Sequence, residues 1–242
     1  MARRMFYVQE VRDGAAYLRG ETAQHIRKVL RAERGQRFEI SDGEEIFLAE
    51  IADFGKDVVE FRLIESMPSA APAARIHLLQ ALIKFDHFEW VLEKATELGV
   101  ERITPVYALR TEKGLDQAAL KRRDRWLRIV AEAGQQCRRL KPPVLDEPVI
   151  LKTALAMESA QKLWLEEEAG APAILSALRA GEEPIAVLCG PEGGWDPRER
   201  DEAAAGGWQA VSLGRQILRA ETAAIVALAI ISAFADAKKP RV

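Results

Sequence analysis

Two glycine-rich turns near the carboxyl end of the chain have residue types and positions suited to ligand binding. Gly190-Pro191-Glu192-Gly193-Gly194 follows the apolar stretch 185–189, and Leu213-Gly214 ends a second apolar stretch, 210–213. Glycine lets a backbone come close to a ligand and adopt φ values that other residues avoid. If both stretches are parallel strands, the turns lie at the strand ends where open α/β sheets bind ligands. Together they could hold a flat ring such as adenine.

Neither turn carries a nucleotide-phosphate signature. No Gly-Lys-Ser/Thr follows them, and they do not match G-x-G-x-x-G. A single glycine-rich loop is also typical of an ordinary tight turn. The turns by themselves therefore leave a structural and a ligand-binding interpretation open.

A charged pair precedes the most apolar helix predicted in the chain, residues 221–237. Glu221 would lie in its first turn, where a carboxylate interacts favourably with the helix dipole. Arg219 has no comparable structural role. We expect Arg219 to contact a ligand or an RNA phosphate.

The first 70 residues are predicted to be rich in β-strand. Strands are predicted at residues 5–11, on both sides of an Asp42-Gly43 turn within 38–48, and at 58–64. Residues 21–30 show apolar side chains at helical spacing. Several short strands with one helix suggest a small barrel. The segment 67–74 has two prolines and little charge, which is typical of a domain boundary.

From residue 75 onward, strand and helix patterns alternate. Strands are predicted at residues 76–81, 103–107, 163–165, 185–189 and 210–213, and helices at residues 88–98, 120–137 and 221–237. The strands are nearly all apolar, as in a sheet buried on both faces. The pattern predicts an α/β fold with a parallel sheet covered by helices.

Composition indicates a soluble globular protein. The chain has 242 residues, of which 48% are hydrophobic and 30% are charged. Its two cysteines, Cys137 and Cys189, form no C-x-x-C pair, which favours a reducing compartment and no metal site. No signal peptide is recognised, and the apolar run 223–235 is too short to span a bilayer. The sequence therefore predicts a cytoplasmic protein without a membrane segment.

The net charge of −2 conceals two basic stretches. Residues 25–37 contain five Lys or Arg and one Glu, and residues 121–141 contain eight Lys or Arg and two acidic residues. Phosphate binding depends on where positive charge is concentrated, not on the sum. Charge alone equally fits solvated helix faces.

Taken together, these segments resemble the SPOUT superfamily of knotted methyltransferases. More narrowly, they resemble the bacterial family that methylates N3 of a uridine in 16S ribosomal RNA. The segments that carry the resemblance, in chain order, are 3–8, 25–31, 93–100, the set Glu132, Gln136, Cys137 and Arg139, 190–194, and 213–223. Two positions depart from the family pattern. Arg215-Gln216 stands where the family often has Pro-Arg, and Gln135 replaces a frequent Glu.

The resemblance implies a PUA-like RNA-binding β-barrel domain at residues 1–68. It also implies a methyltransferase domain at residues 75–242 that contains a trefoil knot. The molecule would be a homodimer, with S-adenosylmethionine bound near the subunit interface. The substrate would be 16S ribosomal RNA or the assembled small ribosomal subunit.

The resemblance also implies three groups of site residues. The cofactor would contact Leu188, Cys189, Gly190, Pro191, Glu192, Gly193, Leu213, Gly214, Ile217, Leu218, Thr222 and Ala223. RNA would contact Arg3, Arg4, Phe6, His25, Arg27, Lys28 and Arg31. For catalysis, Glu132, Glu221 and Arg139 are candidates for orienting the base, and Arg219 is expected to stabilise negative charge that develops on the uracil.

Methylation at N3 requires the uracil to lose a proton, and the sequence offers no clear general base. His77 lies in a predicted core strand and is expected to be structural, and His25 lies in the first basic stretch. Two other functions stay open. One is methylation of a ribose 2′-hydroxyl by a related knotted enzyme, and the other is RNA binding without catalysis.

Overall fold

A computed structural model describes residues 4–69, 72–168, 170–181 and 183–238. The chain divides into two compact units. The first comprises Met1–Ala71 together with Ala131–Pro142, and the second comprises Pro72–Val130 and Pro143–Val242. The first unit therefore includes a segment from the middle of the sequence.

The first unit contains a six-stranded sheet. Its elements are β1 (Met5–Tyr7), β2 (Glu10–Arg12), β3 (Ala15–Arg19), α1 (Gly20–Gln24), a π-helical turn (His25–Val29), β4 (Arg37–Ser41), β5 (Ile46–Phe54) and β6 (Val58–Met67). The strand order is β1-β4-β5-β6-β3-β2. β1 pairs parallel with β4, and the other pairs are antiparallel. The described strands leave β1 and β2 as the two edges of this sheet.

The second unit contains a seven-stranded parallel sheet with helices. Its elements are β7 (Ile76–Ala81), α2 (Phe85–Glu97), β8 (Arg102–Tyr107), α3 (Leu115–Gln136, whose last turns belong to the first unit), β9 (Val144–Leu145), β10 (Val149–Ile150), α4 (Leu151–Leu155), β11 (Gln161–Leu165), α5 (Ile174–Ala177), β12 (Ile185–Cys189), α6 (Pro197–Ala205), β13 (Gln209–Val211) and α7 (Ala220–Lys238). The strand order is β10-β8-β7-β12-β11-β13, and β9 pairs with β8. The predicted parallel α/β sheet is confirmed.

The segment Ala131–Pro142 is tied to the strands of the first unit by backbone-directed hydrogen bonds. The Tyr7 hydroxyl donates to the carbonyl oxygen of Arg139 at 2.9 Å, and the Ser41 hydroxyl donates to that of Leu140 at 2.5 Å. A Cβ added at Gly134 would lie 2.5 Å from the Tyr7 hydroxyl oxygen, so only glycine fits this contact. These contacts explain why a segment so distant in sequence belongs to the first unit.

Several sequence predictions differ from the structure in the first unit. The single strand predicted at 5–11 is wrong, because β1 and β2 are separate strands at opposite edges of the sheet. The helix predicted at 21–30 is divided between α1 and the π-helical turn. The hairpin around Asp42-Gly43 is confirmed, with the Asp42 carboxylate accepting from the backbone N–H groups of Glu44 and Glu45.

The candidate cofactor cavity

A cavity of about 570 Å³ lies in the second unit, beyond the carboxyl ends of four neighbouring strands. The segments that follow β7, β12, β11 and β13 all contribute to its wall, together with the first turn of α7. The lining residues are Lys84, His87, Leu165, Glu166, Glu167, Gly190, Pro191, Glu192, Gly194, Trp195, Ser212, Leu213, Gly214, Arg215, Gln216, Ile217, Leu218, Arg219, Ala220, Glu221 and Ala223. Parallel sheets present their ligand sites at this end.

The turn after β12 is shaped by a buried tryptophan. The Trp195 ring stacks on Trp164 with centroids 4.1 Å apart, and its indole N–H donates to the carbonyl oxygen of Leu165 at 3.0 Å. A Cβ added at Gly190 would lie 2.9 Å from the Trp195 ring, a distance that real Cβ atoms do not show. Gly194 has a φ of +67°, and a Cβ there would collide with the Glu167 carboxylate. The local structure of the protein therefore requires glycine at both positions, without any ligand.

Glu192 joins two of the segments that form the cavity. Its Oε1 accepts a hydrogen bond of 3.2 Å from the backbone N–H of Lys84, the residue that precedes α2. The start of a helix has backbone N–H groups without partners in the helix, and a carboxylate there satisfies one of them. Glu192 therefore holds the turn after β12 against the segment after β7.

A partly buried ion pair stiffens the segment after β11. Arg200 Nε lies 2.7 Å from Glu166 Oε2, and Arg200 Nη2 lies 3.1 Å from Glu166 Oε1. Burial raises the pKa of Glu166, but the hydrogen bonds and charge of Arg200 outweigh this effect and hold the pKa below its usual range. Glu166 is therefore a fixed carboxylate, and such bidentate pairs are rigid.

The last two segments bring charged side chains to the cavity from different elements. Arg219 is exposed in the segment before α7, whereas Glu221 in the first turn of α7 is only 3% exposed. Nδ1 of His87, which lies in the first turn of α2, is 3.6 Å from Glu221 Oε2. The cavity wall thus has basic and acidic groups close together, some of them buried.

Most of the residues expected to contact the cofactor lie together in this wall. They are Gly190, Pro191, Glu192, Leu213, Gly214, Ile217, Leu218 and Ala223, with Arg219 and Glu221 from the catalytic set. Four expected residues do not line the cavity: Leu188, Cys189, Gly193 and Thr222. The side chains of Leu188 and Cys189 are fully buried in the core, and burial raises the pKa of the Cys189 thiol.

The remaining expected residues belong to the first unit. Glu132, which is exposed, and Arg139 lie in the segment Ala131–Pro142 and do not line the cavity. Arg4, His25, Arg27, Lys28 and Arg31 are exposed, and Arg3 lies outside the described residues. Phe6 requires a correction, because its ring is 7% exposed and packs 5.6 Å from that of Phe38. It is a core residue, so its ring is not a surface contact for RNA.

Sequence reasoning did not select several lining residues as site residues. Four of them, Lys84, His87, Glu166 and Glu167, are far in sequence from both glycine-rich motifs. The fifth, Trp195, directly follows the first motif. One signal was available for the first four. In a parallel sheet, every residue that follows a strand is a candidate for the ligand-binding end. The strand order that brings these residues to the same cavity as the glycine-rich turns could not be read from the sequence.

A second polar cluster lies near the amino ends of β7 and β8. His77 Nε2 is 2.7 Å from Thr104 Oγ1, Thr104 donates to Asp146, and Arg102 binds Asp146 through two hydrogen bonds of 2.7 and 2.8 Å. Burial lowers the pKa of His77 to about 4. The neutral imidazole therefore donates to Thr104, which supports the predicted structural role of His77.

Two features bear on metals and membranes. Among the described residues, no group of three or more His, Cys, Asp or Glu side chains could hold a metal ion. By length and composition alone, α7 is long and apolar enough to cross a membrane. It packs against α2, α5 and β12, as a helix covering a sheet does.

Comparisons with known proteins agree with this architecture. A family model described as an RNA methyltransferase domain matches residues 70–232, and one described as an RNA methyltransferase PUA domain matches residues 18–64. The chain is 30% identical to ribosomal RNA small subunit methyltransferase E of Aquifex aeolicus, covering 95% of this chain and 99% of that protein.

Two solved structures share the fold closely. A methyltransferase of Legionella pneumophila with the cofactor SAM bound has a TM-score of 0.88 and 31% identity, over 96% of this chain and 98% of that one. Ribosomal RNA small subunit methyltransferase E of Neisseria gonorrhoeae, bound to S-adenosyl methionine, has a TM-score of 0.85 and 29% identity, over 94% and 96% of the two chains.

Proposed function

The chain belongs to the RNA methyltransferase family that includes ribosomal RNA small subunit methyltransferase E, and we propose that it transfers the methyl group of S-adenosylmethionine to N3 of a uridine in 16S ribosomal RNA. The observation that carries this proposal is the cavity formed by the segments after β7, β12, β11 and β13. Related proteins of the same fold hold this cofactor.

The residues present fit S-adenosylmethionine. The cavity volume of about 570 Å³ is within the range of small-molecule sites, roughly 300–1,000 Å³. Leu213, Leu218 and Ala223 offer apolar surface for an adenine ring, and the carboxylates of Glu167 and Glu221 suit a cationic ligand. When bound, the cofactor supplies an electrophilic methyl group on a positively charged sulfur.

The protein's own contribution to the reaction is positioning and electrostatics. In this proposal the wall residues hold the cofactor, and Arg219 at the rim stabilises negative charge on the uracil as N3 is deprotonated. Glu221 orients the uracil base. Glu132 and Arg139 orient the RNA from the segment Ala131–Pro142.

Exposed basic side chains support RNA binding by the first unit. Arg27, Lys28 and Arg31 are exposed in and after the π-helical turn, and Arg4 and His25 are exposed as well. In the proposal these side chains contact phosphates of 16S RNA or of the assembled small subunit. An enzyme with this substrate works in the cytoplasm, where ribosomes are assembled.

The proposal includes a homodimer and a trefoil knot in the second unit. Only 28% of the most apolar window of α7 is buried within one chain, and Val226, Ile230 and Phe234 remain partly exposed along one face. Such a face is suited to a second copy of the chain. Strand β12 lies between β7 and β11 in the sheet, a non-sequential order that is compatible with a threaded chain. Light scattering of the purified protein measures the subunit number, and a monomer would contradict the dimer.

A transfer assay with mapping of the product tests the function. The protein is incubated with S-adenosylmethionine carrying a labelled methyl group and with either unmethylated small subunits or naked 16S RNA. The RNA is then digested to nucleosides for mass spectrometry. We expect label in 3-methyluridine. Label on a ribose 2′-oxygen would replace the proposal with the related ribose methylation, and no label in either substrate would favour a non-catalytic RNA-binding protein.

A further inference from the structure

A histidine and a glutamate face each other in the cavity wall where two helices begin. His87 is the third residue of α2 and Glu221 the second residue of α7, and the two helices pack against each other. His87 Nδ1 lies 3.6 Å from Glu221 Oε2. This distance is just beyond a hydrogen bond, and a small rotation of either side chain closes it.

Neither of these two atoms has another partner. Within the described parts of the chain, His87 Nδ1 and Glu221 Oε2 are buried side-chain atoms without a hydrogen bond. Leaving a buried carboxylate oxygen without a hydrogen bond costs free energy, because the group loses its water without a replacement. A pair with this cost is not explained as a contribution to stability, so a role in the site is the better explanation.

The imidazole extends from this buried position toward solvent. The side chain of His87 is 34% exposed, and its Nε2 lies 3.7 Å from the exposed carboxylate of Asp86. One ring nitrogen therefore faces Glu221 and the other faces the surface. A histidine in this arrangement can donate a hydrogen bond from Nδ1 to the carboxylate and so fix its orientation.

We propose that Glu221 accepts the N3 proton of the uracil and that His87 is the positioning residue that orients this carboxylate. The inference rests on the proposed function. The N3–H proton moves to the Glu221 carboxylate, while the N3 electron pair forms the bond to the methyl carbon. The carbon–sulfur bond breaks, and its electron pair remains on sulfur. Glu221 then releases the proton to water as the product leaves.

A spectroscopic signature tests the pair without any turnover. In the proposed pairing, Glu221 accepts a hydrogen bond from His87 Nδ1–H before substrate binds, and nitrogen NMR of protein with labelled histidine distinguishes this tautomer from the Nε2–H form. The chain has only three histidines, so the His87 signals are assigned by their loss in His87→Asn. We expect the Nδ1–H form in the wild type and the Nε2–H form in Glu221→Leu. An Nε2–H form in the wild type would overturn the pairing.

Kinetics of folded variants test the chemical role. Glu221→Gln keeps the shape but cannot take a proton, so kcat should fall at least about 100-fold while the dissociation constant of S-adenosylmethionine stays within about threefold. His87→Asn places an amide nitrogen near the position of Nδ1 and should retain more of kcat than His87→Leu, with KM unchanged in both. Asp236→Asn, an exposed acidic residue on α7, is the matched control and should leave kcat within about twofold.

The outcomes separate this inference from the proposed function. If the wild type methylates N3 but Glu221→Gln retains more than about a tenth of kcat, the assignment of the base is wrong and the function stands. Equal kcat in His87→Asn and His87→Leu would remove His87 from the mechanism. If the wild type transfers no methyl group to 16S RNA in either form, the proposed function fails, whereas the tautomer measurement still decides the pairing.

Discussion

At the scale of single residues, Arg219 is an exposed cation that lines the cavity. The ion pairs found among the described residues include none to Arg219. By contrast, Arg200, which does not line the cavity, is bound to Glu166. A cation that is not neutralised by the protein can stabilise charge that develops in the transition state.

Replacing Arg219 with Ala should therefore affect chemistry more than cofactor binding. We expect kcat to fall at least about 100-fold and the dissociation constant of S-adenosylmethionine to change less than about tenfold, or 1.4 kcal/mol. Transfer assays and calorimetry measure the two effects. Arg198→Ala, which alters an exposed arginine outside the cavity wall, is the control. Near-normal turnover of Arg219→Ala would remove the residue from the mechanism.

His77 should make stability depend on pH. Its pKa is lowered to about 4 in the folded protein, chiefly by burial, from an ordinary value of 6.5. Between these values the unfolded chain binds a proton and the folded chain does not, so stability falls as the pH falls from 6.5 to 4. The total loss is on the order of 3 kcal/mol. His77→Gln keeps a donor for Thr104 but does not titrate. Urea unfolding at pH 7, 5.5 and 4.5 should show a flatter profile for this variant, and identical profiles would contradict the assignment.

At the scale of elements, the cavity depends on contacts between segments that follow different strands. Glu192 provides one such contact by accepting from the backbone N–H of Lys84. Removal of a comparable helix-capping oxygen costs about 1 kcal/mol. The contact joins the segment after β12 to the start of α2, so its loss should loosen two walls of the cavity.

Two variants of Glu192 should therefore differ. Glu192→Ala should lower the free energy of unfolding by about 1 kcal/mol and weaken cofactor binding, whereas Glu192→Gln retains an acceptor oxygen and should lose less than half as much. Denaturant unfolding and calorimetry with S-adenosylmethionine measure both effects. Glu202→Ala, at an exposed position on α6, should change neither. Equal losses in the Ala and Gln variants would mean that the hydrogen bond to Lys84 is not the cause.

The elements of the second unit could be predicted well, because its strands are apolar runs and its long helices repeat apolar residues at helical spacing. β7 and β12 have the predicted bounds, and α2, α3 and α7 differ by a few residues. α6 was missed, although Asp196-Pro197 with Glu199 is a recognisable helix start, and both hydrogen bonds of its capping box are present. The short strands β9 and β10 have two residues each and leave no periodic pattern.

The site could be predicted only where its residues are close in sequence. The motifs at 190–194 and 213–223 both contribute to the wall of the cavity. The approach of His87 to Glu221 joins residues far apart in the chain and results from the packing of α2 on α7. Periodicity describes one element at a time, so it does not identify such pairs. The same limit explains Phe6, because an aromatic ring in a basic segment has the same pattern whether it faces RNA or the core.

At the scale of the whole molecule, RNA binding should depend on exposed arginines that the protein does not neutralise. Arg27 and Arg31 are exposed, and Arg27 donates to the backbone carbonyl of Gly55. Arg34, in the same basic stretch, is paired with Asp53. A phosphate contact releases counterions, so each lost contact reduces the dependence of affinity on salt.

The double variant Arg27→Gln with Arg31→Gln should bind 16S RNA with a shallower slope of log affinity against log salt. The decrease should be about 1 to 2, since each contact to single-stranded RNA contributes roughly 0.7. Arg34→Gln should leave the slope nearly unchanged, because its charge is already compensated by Asp53. Filter binding across a salt series measures this. An unchanged slope in the double variant would exclude both side chains as phosphate contacts.

Occupation of the cavity by S-adenosylmethionine is the requirement on which the proposed function depends most directly. Calorimetric titration tests it with Ala223→Phe, which places a ring in the cavity wall, and with Ala204→Phe, at an exposed position on α6, as the control. We predict that the wild type and Ala204→Phe bind one cofactor per chain and that the demethylated product competes. Ala223→Phe should bind at least about 30-fold more weakly, a loss of about 2 kcal/mol. No binding by the wild type, or equal binding by Ala223→Phe, would contradict the assignment of this cavity.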